Sequence, residues 1–257
     1  FRYRIDGDQL AQDFNRKGRW EAGFTRREIG AGDSKAERLA ASLREQVRLR
    51  PPGATAFADE IAKRTNGRYK VEQHPNAALG GEVEMLKAIQ LGTIDMAFIT
   101  GAPLPNFVPE VGVFNIPFLF RDAQHGHAGL DGEIGQSYLK KFQDKDLVAL
   151  AWGENGMRHI TNSKRPDKSA ADLKGLKLRL PQSDVMIAGF KAMGADVSPL
   201  PFPQLYPPLQ SGQFNGQENP TATIQAPKFD QVQKHLSVSG HVYDPAIVFM
   251  SVDGFSE

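Results

Sequence analysis

An arginine closes the alternation in the stretch "LKGLKLRLPQSD". Leu176, Leu178 and Leu180 fall on one side of an extended segment, and Lys177 and Arg179 on the other. Pro181 follows and, having no N–H, ends the pairing. Two readings fit. Alternating basic residues make a solvated face. Alternatively, Arg179 stands near the carboxyl end of a strand, where open α/β sheets hold their ligands. Its guanidinium is a planar fork that takes both oxygens of a carboxylate and stays charged at any working pH, a fork that Lys177 lacks.

The other chemical candidates are weaker. In "GQFNGQENP", Asn215, Gln217, Glu218 and Asn219 crowd a segment punctuated by glycine. Their amides offer donors and acceptors suited to a hydroxylated or carboxylated ligand, and a polar turn fits equally well. In "GENGMRHITNSKRP", Glu154 and His159 offer an acid/base pair. A polar loop leading into a strand is the simpler reading, since neither a G-x-S-x-G elbow nor H-E-x-x-H is present. "HGHAG" sets His125 and His127 two apart without further ligands at metal spacing, which reads as a surface loop. The Gly pair of "NAALGGE" precedes a helix but lacks both phosphate-loop spacings, so a structural turn is expected. No catalytic residue, metal or cofactor is assigned.

These residues need a scaffold, and from Ala54 onward one is legible. "ATAFADEIAKRTNG" reads as an amphipathic helix, with Phe57 and Ile61 on one face and Gly67 as its C-terminal stop. "RYKVEQH" reads as a strand, "EVEMLKAIQLG" as a helix and "TIDMAFIT" as a buried strand. "VGVFNIPFLF" is apolar enough to be packed in a core. "IGQSYLKKFQDKD" is a helix and "LVALAW" a strand. "SAADLKG" is a short helix capped by Ser169, and "SDVMIAGFKAMG" a helix capped by Ser183 or Asp184. "SGQFNGQENP" reads as a turn-rich loop, and "KHLSVSGHVYDPAIVFMSV" holds strands. The alternation argues an α/β fold with a mostly parallel sheet. Before Ala54 the chain is rich in Arg and Gly. There "FRYRI" suits a strand, "SKAERLAASLREQVRLR" a helix, and the remainder loop.

Composition narrows the function classes. A chain of 257 residues holds one large or two small domains with real cores. The net charge of +1 gives no electrostatic footprint for nucleic acid or an anionic membrane. Zero cysteines exclude disulfides, thiolate metal sites and a cysteine nucleophile. No apolar run approaches the roughly 18–20 residues of a membrane span. Phe1, rather than Met, opens the chain, consistent with a removed export signal.

Several stretches stand together in one order: "FADEIAKRTNGRYKVEQHPNAALGG", "LGTIDMAF", "IPFLF", "GMRHITNSKRP", "DLKGLKLRLP", "FPQLY" and "GQENP…KFDQVQKHL". Over about residues 54–252 the chain resembles the solute-binding component of TRAP (tripartite ATP-independent periplasmic) transporters, the dicarboxylate-binding type. The resemblance implies an α/β fold of two lobes, like other periplasmic binding proteins, with a central cleft and strands crossing between lobes. One lobe is expected over 1–155 and 244–257, with 6–53 unmatched, and the other over 156–243. It implies a periplasmic protein without catalysis or cofactor, a monomer, that captures a small organic acid and delivers it to a membrane permease. Alternatives are a receptor presenting its ligand to a membrane sensor, and an α/β enzyme acting on an organic acid through Glu154 and His159. The ligand-binding residues carried over are Arg179 for the carboxylate, Arg158, Asn219, Phe202 against the ligand, and Thr100 facing the cleft from the first lobe.

The chain also departs from the family. The helix "ELYTALQ" reads "QLYPPLQ", so Pro207 and Pro208 are expected to break or kink it, at about 3 kcal/mol each if interior. "DGQENP" reads "NGQENP", with Asn215 in place of an acid. The chain stops at Glu257, so the long helix that braces the family's lobes is expected to be missing.

Overall fold

The computed structural model describes residues 25–28, 52–74 and 77–256. The strand expected in "FRYRI" and the helix expected over 34–50 lie outside the described residues. In chain order the elements are β1 (Thr25–Glu28), α1 (Pro52–Arg64), β2 (Tyr69–Glu72), α2 (Glu82–Gln90), β3 (Met96–Thr100), α3 (Ala123–Asp131), α4 (Glu133–Lys140) and β4 (Leu147–Asn162). Then come β5 (Lys177–Leu180), α5 (Asp184–Ala192), β6 (Asp196–Pro199), α6 (Tyr206–Ser211), β7 (Gly216–Pro220), α7 (Thr221–Gln225), β8 (His235–Ser251) and α8 (Val252–Ser256).

β1 pairs antiparallel with β2, setting Thr25 opposite Glu72. The remaining strands follow the order β3-β8-β4-β7-β5-β6. β5 runs parallel to β6 and β7, whereas β7 runs antiparallel to β4. The sheet is therefore mixed rather than mostly parallel. "GENG" was expected as a loop after "LVALAW", yet Leu147–Asn162 is one strand. Two glycines let it pass. A Cβ on Gly153 would lie 2.5 Å from the Phe98 ring, and Gly156 adopts a φ of +123°, closed to other residues.

The chain divides into two compact units. One comprises Phe1–Ile99, Leu130–Glu154 and Ala246–Glu257; the other comprises Thr100–Gly129 and Asn155–Pro245. β4 and β8 each contribute residues to both. Residues 100–129, expected with 1–99, group with the second unit, and Thr100 is that unit's first residue. Apolar side chains from α2, β3, β8 and the segment between α4 and β4 are buried in the first core, among them Met85, Leu86, Phe98, Phe249 and Phe142, with the Phe142 and Phe249 rings edge-on at 4.9 Å. The second unit holds two clusters. Leu176, Leu178, Leu180, Val197 and Ile160 meet Met186 and Phe190 of α5, and Leu205, Leu209, Phe214, Ile224 and Phe229 form the other. α5 starts where expected, with the Ser183 hydroxyl accepting from the Met186 N–H.

Three local expectations need correction. Pro207 and Pro208 do not break α6; they occupy its first turn. The N–H groups there have no intrahelical partner in any helix, and the first such bond comes from Leu209 N–H to the Leu205 carbonyl at 3.2 Å. "HGHAG" is part of α3 rather than a loop. "VGVFNIPFLF" is only partly core: Val111 and Phe114 are buried, while Ile116, Phe118 and Leu119 reach the surface. Phe118 sits at φ +61°, so the chain turns outward there, held by its N–H on the His241 carbonyl at 2.7 Å.

Candidate functional site

Strand register sorts the polar residues of the second unit onto two faces. Cα partners across a ladder point the same way, and successive residues alternate. Arg179 pairs with Gln217, which pairs with Thr161, and Asn219 pairs with His159. Arg179, Gln217, Asn219, Thr161 and His159 therefore share one face. Glu218 pairs with Ile160, and Leu178 with Gly216, which puts Glu218 and Arg158 on the opposite face, with the α5 core.

β7 was expected as a polar loop, yet all five of its residues are buried. Polar residues survive in a central strand only when their groups are satisfied. Here the partners come from far along the chain, which no local pattern displays. Arg158 Nε donates to Glu218 Oε2 at 2.5 Å, and Nη2 donates to Glu218 Oε1 at 2.7 Å and to the Glu218 carbonyl at 2.8 Å. Its Nη1 donates to Asp244 Oδ2 at 2.6 Å. Four of the five N–H donors of Arg158 are thus spent inside the protein. Asn155 Nδ2 also donates to Asp244 Oδ2, at 2.7 Å, and the His241 Nε2 lies 3.0 Å from Glu218 Oε2.

The two carboxylates respond differently to this shared cation. Burial disfavours the charge on both. At Glu218 the Arg158 fork outweighs burial and holds the carboxyl down at about 2, with His241 adding to it. At Asp244 burial wins and the carboxyl is pushed up, because only one oxygen is bonded. Its Oδ1 is buried without a hydrogen-bond partner, and a Cβ on Gly101 would come within 2.9 Å of it. Burial also disfavours the Arg158 charge, but the two carboxylates raise its pKa.

Acid unfolding should report Glu218. Its folded pKa is depressed from an ordinary 4.5 to about 2. Its contribution is therefore complete above about pH 4.5 and is lost as pH falls through about 2, on the order of 3 kcal/mol in all. Asp244 works the other way, stabilising at low pH and losing that contribution as pH rises through its folded value. Stability measured by urea midpoint from pH 6 to 2 should fall steeply in the wild type and with a clearly shallower slope in Glu218→Gln. Equal slopes would remove Glu218 as the acid-sensitive group.

On the other face, Arg179 is buried near the end of β5. Its Nε donates to the Leu200 carbonyl at 2.7 Å, and its guanidinium carbon lies 6.0 Å from the centre of the Phe202 ring. Phe202 is half-buried against Phe229, at 5.7 Å between rings. Asn219 Nδ2 donates to Gln217 Oε1 at 2.5 Å. The structure thus brings Arg179, Phe202 and Asn219 to one face and engages Arg158 on the other. Thr100 ends β3, buried, one residue before the Gly101 that abuts Asp244. The network residues Asp244 and His241 escaped sequence reasoning; the one available signal was an acid inside the apolar run "HVYDPAIVFM".

Glu154 and His159 stand five residues apart on β4, an odd spacing that puts them on opposite faces of a regular strand. His159 Nδ1 accepts the Gly240 N–H at 3.0 Å, and burial together with the nearby His241 pushes its pKa down.

Residues 50–257 match the family described as bacterial extracellular solute-binding protein, family 7. The chain belongs to that family. Among its relatives is a solute-binding protein of Verminephrobacter eiseniae (strain EF01-2), 52% identical over 195 residues, 76% of this chain and 58% of that one. Another is the 2,3-diketo-L-gulonate-binding periplasmic protein YiaO of Escherichia coli (strain K12), 38% identical over 206 residues, 79% of this chain and 63% of that one. The chain thus spans about three-fifths of the length of these relatives. A solved TRAP periplasmic solute-binding protein from Polaromonas sp. JS666, bound to D-erythronate, superposes with a TM-score of 0.78 and 50% identity, over 79% of this chain and 67% of that one. The sugar acid binding protein DctPAm from Advenella mimigardefordensis strain DPN7T, in complex with galactonate, gives a TM-score of 0.77 and 38% identity, over 79% of this chain and 66% of that one. Among the described residues of this family 7 chain, no helix is long and apolar enough to cross a membrane, and no group of three or more His, Cys, Asp or Glu is placed to hold a metal.

Proposed function

We propose that the chain is the extracytoplasmic solute-binding component of a TRAP transporter, taking a small organic acid on the second unit and handing it, unchanged, to membrane permease subunits. The observation that carries this reading is the placement of Arg179: it is buried near the end of β5, held through Nε on the Leu200 carbonyl, beside the Phe202 ring and on the sheet face that bears Gln217 and Asn219. A guanidinium so held presents its fork to a carboxylate. Phe202 packs against the bound carbon chain and Asn219 meets its polar groups. Thr100, buried at the end of β3, is a further contact in this reading, and Arg158 supports the strands as an internal counter-ion. The two-lobe division that the resemblance implies is part of the same proposal.

The relatives support an acid as the ligand: D-erythronate and galactonate are bound in two solved structures, and 2,3-diketo-L-gulonate is named for YiaO. A thermal-shift screen with D-erythronate, galactonate and succinate, and with erythritol as a neutral control, tests it. At 100-fold excess over Kd, binding adds about 2.7 kcal/mol to stability. At least one acid should raise Tm by several degrees, erythritol should not, and mass spectra of the incubated acid should show no product. No shift with any acid, or conversion of the acid, contradicts the proposal.

A further inference from the structure

The net charge of +1 is a sum over the chain, and the fold does not spread it evenly. In the second unit, the loop between β4 and β5 carries Lys164, Arg165, Lys168 and Lys174, all exposed. Its two acids are half-buried and bonded within the loop. Asp167 Oδ2 accepts from Asn162 Nδ2 at 2.7 Å, and Asp172 Oδ2 accepts from the N–H groups of Lys168 and Ser169 at 3.0 and 2.9 Å. Burial also pushes the Asp167 carboxyl up, toward its neutral form. Arg165 is tied down as well, its Nη2 donating to the carbonyls of Asp172 and Lys174 at 2.7 and 2.8 Å. The three lysines make no ion pair among the described residues. Lys177 follows on β5, but Asp196 of β6 is its cross-strand partner and offsets it. The start of β8 lies against this loop: the Lys234 N–H donates to the Asn162 carbonyl at 3.1 Å, and Ser237 Oγ to the Asp167 carbonyl at 2.9 Å. Residues 233–241 hold Lys234 and no acid. Leu236 and Val238, on one face of the strand, are 51% and 76% exposed.

We infer that this end of the second unit docks on an anionic lipid bilayer, with Lys164, Lys168, Lys174 and Lys234 meeting the phosphates and Leu236 and Val238 entering the headgroup layer. Single exposed apolar residues are ordinary on a protein surface. Two on one strand face, beside four lysines, have the composition of interfacial segments, whose affinity sums buried apolar area and attraction to anionic lipids. An acidic protein surface would be met better by arginine forks, which pair fixed carboxylates two bonds at a time. The arginine of this loop spends its Nη2 on carbonyls instead. Lysines are point charges on flexible stems and suit phosphates that move. Each lysine near such a surface is worth about fivefold in partitioning, and salt screens the gain. The hold is therefore reversible. None of these residues is among those proposed to bind the acid, and docking needs no ligand.

Co-sedimentation of the full chain with lipid vesicles tests it, using phosphatidylcholine alone and phosphatidylcholine mixed with phosphatidylglycerol. At low salt the wild type should bind the mixed vesicles about tenfold or more tightly than the neutral ones. The preference should vanish near 1 M salt, where the Debye length falls to about 3 Å. The combined variant Lys164→Gln, Lys168→Gln and Lys234→Gln should lose about tenfold or more on the mixed vesicles and keep its Tm. Leu236→Ser with Val238→Ser should weaken the same binding several-fold and leave its salt dependence unchanged, which separates the apolar contribution from the charge. A wild type that ignores the mixed vesicles, or binds both kinds equally, overturns the inference, as does a lysine variant that binds like the wild type. Should the wild type ignore the vesicles while the lysine variant loses acid uptake in cells carrying the permease, the surface is a protein contact and the lipid inference falls.

Discussion

Arg179→Lys is expected to weaken binding of the organic acid by about 10²-fold, close to 3 kcal/mol. The substitution keeps one positive charge, so the loss measures geometry rather than net charge. Lysine has no second parallel N–H for the other carboxylate oxygen, and it cannot reproduce the Nε anchor on the Leu200 carbonyl. A lysine ammonium released from that anchor also loses its fixed distance to the Phe202 ring. Truncating one partner of a buried charge pair costs about 3–5 kcal/mol, so the conservative replacement belongs near the lower end. Titration calorimetry at one salt concentration checks it. An affinity within threefold of wild type takes Arg179 out of the binding site. Tm without ligand should change little by comparison, which separates a binding defect from a folding defect.

Arg158→Met is expected to act in the reverse manner, on stability first. Removing the guanidinium leaves the fully buried Glu218 carboxylate with His241 as its remaining side-chain partner among the described residues, and takes from Asp244 the donor that Arg158 supplies beside Asn155. Breaking a buried ion pair in this way costs about 3–5 kcal/mol, which for a chain of this size lowers Tm by about 10 °C. The companion double variant, Arg158→Met with Glu218→Leu, should recover much of that loss, because an apolar pair of similar volume carries no unpaired charge. Thermal unfolding of the two singles and the double gives the coupling. A Tm for Arg158→Met within two degrees of wild type would falsify the counter-ion role.

The strand that carries Arg179 was readable because a residue-by-residue alternation of Leu with Lys and Arg is a local signal, and a half-buried strand needs only that. Ser183 and Gly67 ended their elements as the sequence indicated, again from local chemistry. β7 was not readable for the opposite reason. Its "GQENP" is polar and looks like a turn, and what makes it a buried strand is Arg158, 60 residues away, and His241, 23 residues away. The resemblance places Arg158 among the ligand contacts, and its buried partners Glu218 and Asp244, 60 and 86 residues away, leave no local signal in the sequence. The α6 prolines misled by type alone: their cost depends on where the helix begins, and the backbone begins it at Tyr206. Thr100 could be placed on a strand end but not in a unit, since that depends on which segments pack together.

The central claim is that the fork of Arg179 holds the acid. A crystal structure of this chain grown with D-erythronate tests it most directly. The account predicts both carboxylate oxygens within hydrogen-bonding distance of the Arg179 guanidinium, roughly 2.7–2.9 Å. A bound acid whose carboxylate is held by other residues, with Arg179 making no contact to it, would contradict the account.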